Sequence, residues 1–559
     1  MTSMASMASK MSVALTAFAA LVSALLIMAS PASGAKKFYD DDPIAREPAT
    51  EDASGAEEWE IKLIIDLTLN TFTRPGDPTP NVRAQNINTI DEVPDSDWFT
   101  NRILHTPLSV DEVVKGPLTS GPPDTTRWSV TRPKKAGAAP GFTARDGRGD
   151  LWFLQFDAKG YPEAATGAIL VANKIFWALG YWQVENYLVT IRPEQLEIAE
   201  DAEMTPPSGK KRPMRMSDLD PVFYHAHKSD DGSYRGIAAK ALSGKVIGGF
   251  KYDGTRPDDP NDIVPHEHRR ELRALKVFGA WANLVDMKAD NTLDTKVEEN
   301  GKIVVRHYLQ DVGSTFGTGA KGPHDYDEGW ESLYQGDKLA KRLVTVGIYT
   351  QPWETVDYDY EENDAIGRFE GKEFDPTTWR PRVPNGAFLR ARPDDDFWAA
   401  RRVMAFSDEM IRAIVKTGGY TDPEAEKHLS NVLIQRRDKI GRAFLLPINP
   451  LVNFALSDSL TFENAAVAAG VADEAEAGYS ATWFSFDNDT GATTPIGETQ
   501  ATVEPQLPIP AGLSDRPGDF VKVQVAAAQS TNEAWRKPVD VYFRRMDTGW
   551  KLVGLERLP

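Results

Sequence analysis

Residues 285–294 read VDMKADNTLD, with Asp286, Lys288 and Asn291 at the spacing D-x-K-x-x-N. A loop of this kind gathers a proton acceptor, a cation and a hard oxygen ligand within one turn of chain. An Asp/Asn-rich turn capped by its own side chains has the same composition. The flanking sequence has to decide between the two.

On the N-terminal side, HEHRRELRALKVFGAWANL (266–284) has Leu272, Leu275, Phe278, Gly279 and Ala282 on one helical face, so a buried helix delivers the loop directly. On the other side comes a short strand pair. Its second member, KIVVRHYLQDVGSTFG (302–317), ends in a glycine-rich turn that contains Asp311-Val312-Gly313.

Further upstream, RWSVTRPKK, GFTARDGRG and DLWFLQFD read as three strands separated by Gly/Pro turns. YPEAATGAILVANKIFWALG follows as a helix, with Ala165, Ala168, Ala172, Ile175, Phe176 and Leu179 at helical spacing and Gly180 as its stop. YWQVENYLVTI returns as a strand.

Asp286, Lys288 and Asn291 followed by Asp311-Val312-Gly313 resemble the catalytic loop and metal-binding turn of the protein-kinase-like superfamily. The flavour is atypical, since Leu284-Val285 stand where eukaryotic kinases carry His-Arg. With GYPEAATGAILVANKIFWALGYWQVENYLV and PNDIVPHEHRRELRALKVFGAW, the stretch 125–445 is similar to an exported bacterial family grouped with spore-coat and secretory-pathway kinases. The resemblance implies an α+β, two-lobed kinase-like body, with a small lobe over 126–192 and a large, mostly helical lobe over 193–447.

It also implies the roles. Asp286 would orient the acceptor hydroxyl and Lys288 would face the transferring phosphoryl group. Asn291 and Asp311 would hold Mg²⁺ or Mn²⁺, with ATP or another nucleotide as donor. Asp290 is a substitute metal ligand within the loop. One departure is prominent: the third strand should carry a phosphate-gripping Lys, and alternation from Phe153 places Gln155 there. Lys159 in the following turn is the candidate replacement, and Glu163 is the acidic partner or a metal ligand, with Lys174 as a second cation. KAGAAPG (135–141) is not a phosphate cradle by pattern.

The remaining chain frames this body. Residues 193–264 are irregular. Later helices start at Ser407, with Gly418 as stop, and at a capping box of Thr421 and Glu424 with Pro423 in its first turn. From 448 to 559 short alternating strands and Pro/Gly turns predict a β-rich, sandwich-like domain. Residues 36–58 read as a flexible acidic tether, EWEIKLIIDLTL (58–69) as a strand, and 59–125 as a wrapping segment.

Residues 1–35 read as a signal peptide, with an apolar run over 12–29 and Ser33 and Ala35 suited to a cleavage site. A membrane anchor is the alternative for that run. The chain has 559 residues, a net charge of −19 and no cysteine. The charge argues against nucleic acid as a partner, and the absence of cysteine excludes disulfides and thiolate sites. An exported, cysteine-free chain fits a periplasmic or secreted protein of a bacterial envelope.

Other motifs carry less. His266 and His268 are two apart at a helix start, so helix-terminus polar contacts are expected rather than a metal site. PDDPND (257–262) and DNDTG (487–491) lack the terminal Glu of a calcium loop and read as turns. Two functions follow from the sequence. One is metal-dependent transfer of a phosphoryl or nucleotidyl group to an envelope protein or saccharide. The other is a catalytically silent, pseudokinase-type module that binds a ligand or protein in the same cleft.

Overall fold

The computed structural model describes residues 36–558 apart from 135–137, 207–208, 337, 339–340, 342–343, 346–349, 359–363, 474–477 and 529. The leader expected over 1–35, and part of the 135–141 turn, lie outside the described residues. The architecture is α+β with several separate sheets.

Residues 36–58, expected to be a flexible tether, instead lie against the body. Phe38 is buried among Phe486, Phe520 and Tyr542 with ring centroids 5.1–6.1 Å away. Ala53 and Ala56 pack on Ile247 and Val305. The strand expected over 58–69 is also corrected: only Trp59 bridges, to Gly248, and helix α1 occupies Leu63–Phe72. This helix buries Asp66 and Asn70 while leaving Ile64 81% exposed, so the side that contacts the body is polar. Helix α2 (Val110–Lys115) carries a capping box of Ser109 and Glu112.

The expected strands of 126–192 are β1 (Trp128–Pro133), β2 (Gly141–Arg145), β3 (Leu151–Phe156) and β4 (Asn186–Ile191), with helix α3 (Ala164–Leu179) between the last two. Gly180 closes α3 at φ 123°, where an added Cβ would lie 2.2 Å from the Phe99 ring. The region read as irregular contributes two more strands to this sheet, β5 (Leu196–Ile198) and β6 (Tyr234–Lys240). The six-stranded order is β4-β6-β3-β2-β1-β5, antiparallel except for β1 with β5. One face of the sheet buries Trp128, Val130, Phe142, Trp152, Leu154 and Phe156 against Met214 and Leu219. Its other face carries Phe153 and Gln155.

Helix α4 (Arg270–Ala282) is preceded by a single 3₁₀ turn at 266–268 and lies in the main core. Its buried Arg270 bonds the carboxylates of Asp395 and Asp394 at 2.9 and 3.0 Å and the carbonyl of Asp91 at 2.7 Å. Desolvated guanidinium groups are tolerated only with such full pairing, so this network fixes α4 against both the N-terminal wrap and helix α5 (Pro393–Met404). Strands β7 (Thr292–Glu299) and β8 (Lys302–Leu309) form a hairpin closed by Asn300-Gly301, both at positive φ as a two-residue turn requires.

Helices α6 (Asp408–Lys416) and α7 (Pro423–Leu445) complete the helical part. Ser407 caps α6 as expected, but the cap of α7 is Asp422, which accepts from the Glu424 N–H, rather than Thr421. C-terminal to these helices, β9 (Leu451–Leu456), β10 (Ser459–Asn464) and a short β13 form one antiparallel sheet. In the second sheet β11 (Tyr479–Phe486), β12 (Thr493–Thr502), β14 (Phe520–Ala526), β15 (Val539–Met546) and β16 (Gly549–Glu556) run in the order β12-β11-β14-β15-β16; β13 is Gln506–Pro508. Apolar residues of both sheets belong to the same continuous core as α4 and α7.

Candidate functional site

Helix α4 ends at Asn283 in the left-handed conformation, with the Asn283 side-chain oxygen accepting from the Trp379 indole N–H at 2.8 Å. Beyond it the chain is extended, and burial alternates. Val285, Met287 and Ala289 are buried, whereas Asp286, Lys288 and Asp290 face outward. A period of two therefore puts Asp286 and Lys288 on one side, where Lys288 Nζ donates to Asp286 Oδ2 at 2.8 Å. Val285 is held from both sides: its N–H donates to the Ser314 carbonyl and its own carbonyl accepts from the Arg382 N–H.

Asn291 closes the loop. Its side-chain N–H donates to the Asp286 carbonyl at 2.6 Å, which leaves the amide oxygen as the atom a cation would take. The Asn291 carbonyl accepts from the N–H groups of Gln310 and Asp311, both at 3.1 Å. That pair of bonds lays the turn after β8 alongside the loop. Asp311 is exposed, and its Oδ1 accepts from the Gly313 N–H at 3.0 Å.

The sheet contributes a cation that the sequence reading missed. Lys134, just past β1, donates from Nζ to Gln155 Oε1 on β3 at 3.1 Å. A bulge at Thr131 shifts the β1–β2 register, so the Lys134 N–H meets the Gly141 carbonyl, and Gly141 pairs with Gln155. Gly141 has no room for a side chain, because an added Cβ would lie 2.2 Å from the Leu154 carbonyl oxygen of β3. Although the side chain keeps contact with solvent, the cleft walls hold its ammonium below the usual lysine range, and the Asp311 carboxylate opposes that shift. Lys134 thus bonds Gln155 and lies in the field of Asp311. Only the bulge could have flagged it, and a bulge has no reliable signature in one sequence.

Two further groups lie near Asp286. Burial raises the Tyr252 phenol pKa, as do the charges of Asp286 and Asp66, and its hydroxyl is among the buried oxygens without a hydrogen bond. Glu328 is also in the field of Asp286.

Lys159 and Glu163 make contacts of their own. Lys159 Nζ lies 5.1 Å from the centre of the Tyr224 ring, and its N–H donates to the His225 carbonyl. Glu163, at φ 68° before α3, accepts from the Thr421 N–H at 2.9 Å and lies 4.0 Å from Arg235. Those contacts join the sheet to the α6–α7 turn. Lys174 is buried within α3, with burial lowering its pKa to about 8. His266 bonds Asp262 and the Lys251 carbonyl, and His268 bonds Asp77 and Arg273, so both histidines serve polar contacts.

Among the described residues no group of three or more His, Cys, Asp or Glu forms a ready cation cage. Asn291 and Asp311 fit a hard cation that completes its shell with water and phosphate oxygens, which is the habit of Mg²⁺ and Mn²⁺ beside nucleotides.

No family model and no curated protein matches the sequence. Among solved structures, the chain is similar to a Golgi casein kinase crystallised with Mn and ADP, at 9% identity and a TM-score of 0.29 over 59% of this chain and 74% of that one. A second structure of the Golgi casein kinase gives 9% identity and 0.29 over 72% and 94%. These likenesses assign no family, and the reading below rests on the geometry of the site.

Proposed function

We propose that the chain is a kinase-like phosphotransferase that moves a phosphoryl or nucleotidyl group from a nucleotide to an envelope protein or saccharide. The observation that carries this reading is the backbone lock between Asn291 and Asp311, with the Asp286–Lys288 pair on the same loop and the Lys134 ammonium in the field of Asp311. In this reading the six-stranded sheet is the small lobe, the helices from α4 to α7 are the large lobe, and the donor lies between them.

The roles follow from the contacts. Asp286 accepts a hydrogen bond from the acceptor hydroxyl and orients it toward phosphorus. Lys288 fixes the Asp286 carboxylate and presents a cation to the moving phosphoryl group. Lys134 supplies from β1 the charge that Gln155 lacks. Asn291 and Asp311 hold the divalent cation, which supplies neutralisation of phosphate charge. Export through the 1–35 leader to a periplasmic or secreted location belongs to the same proposal. No helix among the described residues is long and apolar enough to cross a membrane.

A second reading, a pseudokinase-type binding module, is favoured by one observation: Lys288 and Asp286 neutralise each other at 2.8 Å, while β3 presents an amide in place of an ammonium. Nucleotide hydrolysis in Mn²⁺ separates the two. Asp286→Asn should lower turnover on the order of 100-fold or more while leaving nucleotide affinity unchanged. Tight binding with no turnover in the unaltered protein would leave the binding module.

A further inference from the structure

Three residues beyond Asp311, Ser314 begins a second arrangement. Its Oγ is 2.9 Å from Nε2 of His324, and His324 Nδ1 is 3.4 Å from Oε2 of Glu328. His324 is 5% exposed, and the Glu328 side chain is 14% exposed. Hydroxyl, imidazole and carboxylate in this order are nucleophile, base and orienter, a set recognised by geometry on unrelated folds. We propose that Ser314 is a base-activated nucleophile toward phosphorus, with His324 Nε2 taking its proton and Glu328 holding the imidazole.

Three observations bear on the assignment. The Ser314 carbonyl accepts from the Val285 N–H, so the serine is borne by a segment bonded to the residue before Asp286. Burial, then Arg382 and Arg368, lowers the His324 pKa to about 3, so the ring is neutral, and in the tautomer that carries its proton on Nδ1 the Nε2 lone pair faces the serine. A phosphoryl group arriving beside those guanidinium groups offsets their charge and raises the basicity of the ring when the proton has to move. Finally, His324 Nδ1 is among the buried nitrogens without a hydrogen bond, despite the carboxylate 3.4 Å away. Loose base–orienter contacts of this kind tighten in the reacting complex.

The step balances. A bond forms between Ser314 Oγ and phosphorus, the hydroxyl proton passes to His324 Nε2, and the bond from phosphorus to its leaving group breaks with its electron pair. Naming the terminal phosphoryl of a phosphoanhydride as the natural donor rests on the phosphotransferase reading; the nucleophile does not.

The test treats the purified protein with a fluorophosphonate, from which fluoride leaves, and separately with ATP and Mn²⁺. The tryptic peptide 307–321 is then examined by mass spectrometry. The adduct is expected on Ser314, absent from Ser314→Ala, and slowed on the order of 100-fold in His324→Gln. Glu328→Gln, nearly isosteric, guards against a fold lost at the buried histidine and should also slow labelling. No adduct on Ser314, or equal rates in the unaltered protein and both relay variants, overturns the proposal. An adduct from the fluorophosphonate with no phosphate from ATP keeps the nucleophile and removes the phosphoanhydride as its donor. ATP-dependent stabilisation without any adduct removes the nucleophile and leaves the phosphotransferase reading standing.

Discussion

Replacing Lys134 with Met removes one ammonium and keeps the length of its stem. In the free protein that ammonium donates to the Gln155 amide oxygen at 3.1 Å and lies in the field of the Asp311 carboxylate. On the proposed reading, in which Asp311 holds the cation, it is the charge that meets phosphate. A charge-assisted hydrogen bond contributes roughly 1.5–3 kcal/mol, and solvent access at Lys134 argues for the lower half of that range. With about 1.4 kcal/mol per factor of ten, Lys134→Met should weaken binding of the Mn²⁺–ADP complex about 10- to 30-fold by calorimetry. The free protein should not melt earlier, because the cleft already disfavours the charged form of Lys134. Adding Gln155→Lys to Lys134→Met returns a cation to the same place and should restore most of the lost affinity. Binding by Lys134→Met equal to that of the unaltered protein would refute the assignment of Lys134 as the phosphate cation.

Three further outcomes test how the fold supports the site. Phe38→Ala empties the aromatic cluster under the N-terminal strap, a loss of about 3 kcal/mol that should speed trypsin cleavage at Arg46 on the order of 100-fold without lowering the main melting transition. Gly279→Ala adds a Cβ 2.1 Å from Met287 Cε and 3.0 Å from Trp379 Cη2. The collision should outweigh the gain in helix propensity, lower stability by about 1–3 kcal/mol and weaken metal–nucleotide binding by displacing the loop beneath Asp286. Glu328 is pushed up to about 7, by burial first, with Arg382 opposing and Asp325, Asp327 and Asp286 adding. A raised carboxyl favours the fold while protonated, so its contribution is full below the ordinary value of 4.5 and is lost as pH rises through about 7. Glu328→Gln should therefore melt higher than the unaltered protein at pH 8, by up to about 3 kcal/mol, and not at pH 4.

Where the apolar pattern and the burial agreed, the sequence was informative. Helix α4 showed its buried face in Leu272, Leu275 and Phe278, and the loop it delivers could be placed from that alone. The strands at 128–133, 141–145 and 151–156 alternated visibly between their turns. Strand β6 did not. YRGIAAK has little β-branched character and reads as a loop, yet it lies between β3 and β4, where pairing on both edges overrides propensity. Helix α1 misled in the opposite sense, because Ile61, Leu63 and Ile65 alternate like a strand while the helix buries Asp66 and Asn70 and exposes Ile64. At the site, Asp286, Lys288, Asn291 and Asp311 could be read from spacing because they lie on one short loop and one turn. Lys134 meets Gln155 across a register shifted by a bulge, which has no signature in the sequence. The Ser314–His324–Glu328 arrangement spans 15 residues without a motif, and the partners of Glu163, Arg235 and Thr421, are remote in sequence.

The central claim is that Asn291 and Asp311 make one cation-dependent nucleotide site with the Asp286 loop. A melting titration of the purified protein with ATP, ADP and GTP, each with and without Mg²⁺ or Mn²⁺ and beside Asp311→Ala, tests it most directly. A rise in melting temperature that needs both nucleotide and cation, reaching about 2.7 kcal/mol at a hundredfold excess over Kd, is expected in the unaltered protein and absent from Asp311→Ala. No rise with any nucleotide at millimolar concentration, or an equal rise in Asp311→Ala, would contradict it.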